Sequence, residues 1–199
     1  MITLPADEIL LKYASGVLDP ALRLLIDRHI ALHPETAERL AAFRGYGGLL
    51  LESERAAPMM GGSLDRALAR IAATEPTAQT QDAGWPEFDA LRWRWAGPGR
   101  AIAPVAVEGS ALRAFAFRIA PGKNMLQHSH VDHEWTLIVQ GSYSDESGEF
   151  DTGAFIEEDE HTNHTPVATG VVECICLAVM SGPMTAPGLM GKVAQWLMR

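Results

Sequence analysis

Between Gly122 and Gly141 the chain reads GKNMLQHSHVDHEWTLIVQG, with His128, His130, His133 and Glu134 inside seven residues. Apolar runs flank this cluster on both sides, as a solvated surface loop would rarely show. His128 and His130 lie two apart, so on a strand both imidazoles face one side. Glu134 keeps that parity if the strand continues or turns tightly. Imidazoles with a carboxylate suit Zn, Fe, Mn or Ni. Three ligands are usually too few, so a fourth is expected from His133, His161 or His164. Three buried imidazoles beside a carboxylate are costly without a shared cation. His133 has the opposite parity to His130, and His161 sits in the acidic stretch EEDEH, read as a solvated turn. Both rank behind His164, as groups supporting the ligands or lying on the surface.

Cys174 and Cys176 follow on an apolar run, two apart. Neighbours so placed on a strand make a poor disulfide pair, so they read as reduced thiols. They fit either small core residues or an oxidant-sensing pair near the metal.

The elements that position these groups divide the chain in two. Residues 1–75 carry helical periods. Ile9, Tyr13 and Val17 mark a short helix. Asp19-Pro20 reads as an N-cap with a helix-starting proline, followed by the stripe Leu22, Leu25, Ile26, His29, His33. Pro34 opens another helix with Leu40, Phe43, Gly47 and Leu50 on one face. Gly45, Gly47 and Gly48 within it suggest a close helix approach or a bend. Ser63 caps a fourth helix, with Leu64, Leu68 and Ile71 at i, i+4 and i+7. Residues 76–84 form a polar linker. Over residues 85–199 the period becomes two. Phe115, Phe117 and Ile119 share a face, and TLIVQGSYS and VVECICLAVM read as strands ended by turn residues. An all-β sandwich or barrel is expected, closed by a short C-terminal helix in GLMGKVAQWLMR.

With 199 residues and a formal net charge of −9, the chain lacks the basic balance that direct nucleic-acid binding requires. An acidic chain suits a basic protein partner. No apolar run reaches the roughly 20 residues of a membrane span. MITLPADEILL has no basic region followed by an apolar core, so no signal peptide is expected, and the reduced thiols point to a cytoplasmic location.

The metal cluster resembles the cupin family, whose first motif is G, five residues, H-x-H, three or four residues, E, six residues, G. Gly122, His128, His130, Glu134 and Gly141 match at every spacing. In the second motif Gly153 and His164 match, while Asp159 and His161 stand where proline and glycine are usual. The resemblance implies a small double-stranded β-helix barrel holding one divalent metal through His128, His130, Glu134 and His164. Zinc is the leading candidate, with Fe, Mn or Ni as alternatives. The helical half, ILLKYASGVLDPALRLLIDRHIALHPE, resembles the N-terminal domain of ChrR-type anti-sigma factors, which join such a domain to a cupin. That family implies an α + β two-domain protein: a small helical bundle, then the barrel. The bundle would bind and inhibit an extracytoplasmic-function sigma factor, and the cupin would relay a stress signal, oxidative by expectation. The rival reading is a cupin metalloenzyme, such as a small-molecule dioxygenase with open metal positions. A homodimer of the free chain is a further expectation. One departure stands out. The family's helical zinc motif, H-x-x-x-C-x-x-C with a histidine upstream, is represented only by His29, with His33 and Thr36 at the cysteine positions. Two imidazoles cannot complete a tetrahedral site, so His29 and His33 are expected to be packed polar residues.

Overall fold

The computed structural model describes residues 3–74, 85–125 and 127–185. The proposed linker and C-terminal helix lie outside the described residues. The helices are α1 (Asp7–Ala14), α2 (Pro20–Leu32), α3 (Pro34–Ser53) and α4 (Ser63–Ala73). The strands are β1 (Arg94–Gly97), β2 (Arg100–Val105), β3 (Arg113–Ile119), β4 (His128–His130), β5 (Glu134–Gln140) and β6 (Ser142–Asp145). They continue with β7 (Gly148–Asp151), β8 (Phe155–Glu158), β9 (Asn163–His164), β10 (Val167–Ala168), β11 (Cys174–Met180) and β12 (Met184–Thr185).

The expected N-cap is present: the Asp19 carboxylate accepts from the Ala21 amide, 2.8 Å away, and Pro20 opens α2. The same side chain accepts from the Ser110 hydroxyl and the Ala111 amide in the β2–β3 loop, tying the helix start to the barrel. α1 is shorter than expected, and Val17 lies beyond it, exposed. The residue before α4 is Gly62, at a φ of 72°, so Ser63 is the first helical residue instead of the cap. Gly45, Gly47 and Gly48 do not mark a close approach: α3 runs through them with open space on each.

A six-stranded antiparallel sheet, in the order β1-β2-β3-β11-β5-β8, forms one wall of the barrel. Two three-stranded sheets, β10-β6-β7 and β12-β4-β9, form the other. Alternation along the strands sorts their side chains between two cores. Phe115 and Phe117 of β3, and Cys176, Ala178 and Met180 of β11, point into the barrel. Ala114, Ala116, Leu137, Phe155, Leu177 and Val179 point outward, where they meet Leu10, Leu22, Leu25 and Ile26 of α1 and α2. The helices therefore cover the outer face of the large sheet, and the two parts share a core. This is why all seven residues of β11 are buried: neither of its faces meets water.

The second half of α3 and α4 stay outside that core. Tyr46, Leu49, Leu50, Leu51, Met59, Met60, Leu64, Leu68 and Ile71 are all exposed, and α4 buries no residue. Among the described residues no helix is long and apolar enough to cross a membrane.

Candidate metal centre

β4 and β9 pair antiparallel, with His128 opposite His164, and β5 starts at Glu134 after a short turn. All four side chains are buried. The His164 Nε2 lies 3.1 Å from the His128 Nε2 and 3.4 Å from the His130 Nε2, so three ring nitrogens converge on one point. The Glu134 carboxylate lies beside the cluster but outside the point where the three nitrogens meet, its Oε2 3.3 Å from the other ring nitrogen of His130, Nδ1. Its Oε1 accepts from the Thr136 hydroxyl at 3.0 Å, but Oε2 is buried with no hydrogen-bond partner.

This donor set fits a divalent cation. Converging imidazole nitrogens can share few protons among themselves, and a buried carboxylate oxygen without a donor is costly. A cation among them compensates both. Burial, reinforced by His164, lowers the His130 pKa to about 4, which leaves its ring neutral and its lone pair available. Burial lifts Glu134 to about 7 against the opposing pull of His164 and Thr136, and a neighbouring positive charge would favour its ionised form. Burial also works to lower His164, but the Asp145 hydrogen bond and the charges of Glu134, Glu158 and Asp145 outweigh it, so the net shift is upward.

Two acids that sequence reading did not single out face the far nitrogen of His164. Its Nδ1 is 3.0 Å from the Asp145 Oδ2 and 3.6 Å from the Glu158 Oε1. A carboxylate there fixes the tautomer and aims Nε2 at the convergence point. Glu158 belongs to the stretch read as a solvated turn. The strand in fact runs through Glu158, and alternation with Ile156 turns its carboxylate inward. That parity was a readable signal; Asp145, just before a hairpin turn, carried none. His133 and His161 lie on the surface instead. His133 stacks on Trp135 and pairs with Asp132, while His161 is exposed next to Glu160.

A cleft at the centre is lined by Phe117, Met125, Tyr143, Cys176 and Met184 together with His128, Glu134 and His164. Cys174 and Cys176 are both buried, and a hydrogen bond from the Cys176 thiol to Cys174, together with burial, pushes the Cys176 pKa up. A protonated, enclosed thiol suits core packing; oxidant sensing by sulfur needs an accessible thiolate.

The helical histidines make no comparable cluster. His33 is not on the α2 stripe but at the extended junction between α2 and α3, with φ −130° and ψ 97°. Its Nε2 lies 2.9 Å from the Gly153 carbonyl. The His29 Nδ1 lies 3.1 Å from the Thr36 hydroxyl and its Nε2 3.2 Å from the Thr3 carbonyl. With these nitrogens engaged and no thiol nearby, the residues do not fit the tetrahedral zinc implied by the family's helical motif.

Comparison with known proteins joins the two halves. The ChrR cupin-like domain family model matches residues 81–185. The anti-sigma-E factor ChrR of Cereibacter sphaeroides is 31% identical over 202 residues, covering 96% of this chain and 94% of that protein. The crystal structure of Rhodobacter sphaeroides SigE in complex with the anti-sigma ChrR aligns at 30% identity with a TM-score of 0.77, covering 91% of this chain and 99% of that one. Likeness at this level runs through helices and barrel alike, and the chain belongs to the ChrR family of cupin-containing anti-sigma factors.

Proposed function

We propose that this protein binds and inhibits an extracytoplasmic-function sigma factor in the cytoplasm, using the face formed by the second half of α3 and α4. The observation that carries this reading is the apolar surface left uncovered there, with Leu50 69%, Leu64 67% and Ile71 70% exposed in a chain of this family. Leu64, Leu68 and Ile71 lie along one side of an amphipathic helix that finds no place in the shared core, the form in which a helix enters a partner's groove. The net charge of −9 suits a DNA-binding partner with basic faces. Residues 1–75 would supply this surface, 76–84 the connection and 85–199 the barrel.

The barrel would hold one divalent metal, zinc foremost, through His128, His130, Glu134 and His164. When bound, the metal supplies a positive charge that satisfies the converging nitrogens and the Glu134 oxygen. The chain's own part is to keep His130 neutral, hold His164 by Asp145 and Glu158, and exclude water with the surrounding apolar residues. The dioxygenase alternative draws no support from the relatives, which are described as anti-sigma factors.

The test is transcription in vitro with a candidate sigma factor and the full chain, alongside co-purification. Inhibition that persists with chelator present is expected, because the helical half engages its histidines without metal. Absence of both binding and inhibition across the host's sigma factors of this class would reject the reading.

A further inference from the structure

We propose that strand β8 couples the metal centre to the helical half, through a metal-free latch in which His33 seats on Gly153 and His29 on Phe155. The proposal rests on the metal-binding reading of the barrel given above. Three observations meet at this strand. β8 is the edge of the six-stranded sheet, and its alternate residues serve different neighbours. On the outer side, Phe155 packs edge-on against His29, its ring 5.8 Å away, and the Glu157 carboxylate accepts from the Ala6 amide at 2.7 Å. On the inner side, the Glu158 carboxylate reaches to within 3.6 Å of the His164 Nδ1.

The latch occupies the positions where the family's helical motif has metal ligands. His29 is held between Thr36 and the Thr3 carbonyl, and Thr3 in turn bonds Phe155 through its hydroxyl and its carbonyl. His33 reaches past the helices altogether, to the backbone just before β8. Gly153 has φ +91°, and a Cβ there would sit 2.4 Å from the His33 Nε2, so a glycine is what lets the imidazole approach. Where a zinc ion would fasten the α2–α3 junction to its own bundle, these bonds fasten it to the barrel. In this coupling a displacement of His164 is passed to Glu158 and along β8, which β5 holds on one edge and Thr3 and Ala6 on the other, to Phe155 and Gly153. His33 is thus a positioning residue for the α2–α3 junction.

The experiment is hydrogen exchange on the full chain, zinc-loaded and chelator-stripped, with metal content measured on the same samples. The reporters are the backbone amides of His33 and Thr36, which bond to the carbonyls of His29 and His33. In the unaltered protein, stripping zinc should speed their exchange roughly three- to tenfold, the scale of one net hydrogen bond. Gly153→Ala, and His33→Phe as a variant that leaves the backbone unstrained, should exchange fast with or without zinc while still holding it. Equal exchange in the loaded and stripped unaltered protein would overturn the coupling, as would a zinc response retained in both variants. An unaltered protein that takes up no zinc would instead reject the metal reading beneath it.

Discussion

His128, His130 and His164 contribute three ring nitrogens to one point, so removing two of them should abolish binding rather than weaken it. The His128→Ala, His130→Ala double variant should purify without metal by elemental analysis, against about one ion per chain for the parent. Asp145→Asn tests orientation: it keeps shape but exchanges a carboxylate for an amide beside the His164 Nδ1. Metal affinity should fall roughly 10–100-fold in competition with a chromophoric chelator, with the fold retained. His29 gives a pH signature of its own. Burial, then the charge of His33, lowers its pKa to about 4, against the Thr3 carbonyl and Glu35, which pull upward. A histidine is near 6.5 in the unfolded chain. Between those values the unfolded state binds the proton and the folded state does not, so His29 costs stability as pH falls from 6.5 toward 4. Urea unfolding at pH 7.5 and pH 5 should show a larger acid loss for the parent than for His29→Gln. An equal loss in both would place the acid sensitivity elsewhere.

At the scale of elements, α4 carries the partner-binding reading. Leu68 and Ile71 are 54% and 70% exposed, so replacing both with Asp removes no core packing. Stability should stay within about 0.5 kcal/mol per site. Affinity for the sigma factor should drop roughly 10- to 100-fold in calorimetric titration, the effect of removing apolar anchors from an interface. Unchanged affinity would move the binding face off this helix. The opposite logic holds for α1 and α2, whose apolar stripes are already used: Leu10, Leu25 and Ile26 lie against the large sheet and are closed to a partner.

For the whole molecule, the shared core implies that helices and barrel unfold together. Leu177 lies on the outward face of β11 and is fully buried beneath the helices. Leu177→Ala should cost about 2–5 kcal/mol. Far-ultraviolet ellipticity and tryptophan fluorescence should show that loss at one common midpoint. Separate midpoints would mean that the contact area does not bind the parts into one cooperative unit. The same core bears on residues 1–75 taken alone: without the sheet, the fragment would expose Leu22, Leu25 and Ile26 to water. Its sigma binding is therefore better measured in the full chain.

Local pattern was enough to identify the two kinds of element and to bring together the residues of the buried histidine cluster. Helix and strand periods differ, and His128, His130 and Glu134 lie close enough along the chain for spacing to reveal their shared side. Asp19 as an N-cap, and Phe115, Phe117 and Ile119 as one inward face, are local in the same way. What tertiary structure decided involves partners far apart in sequence. Alternation with Ile156 places Glu158 on the inner side, but only the closed barrel puts His164 there to meet it. His33 reads as a helical residue until the fold brings Gly153, 120 positions later, within 2.9 Å of its ring. The run of β11 shows that the strand is buried on both faces, but only packing shows that one face is covered by α1 and α2 and the other by the barrel. Periodicity reports which side of an element is apolar; what lies against that side depends on chain closure over long separations, which no local spacing encodes.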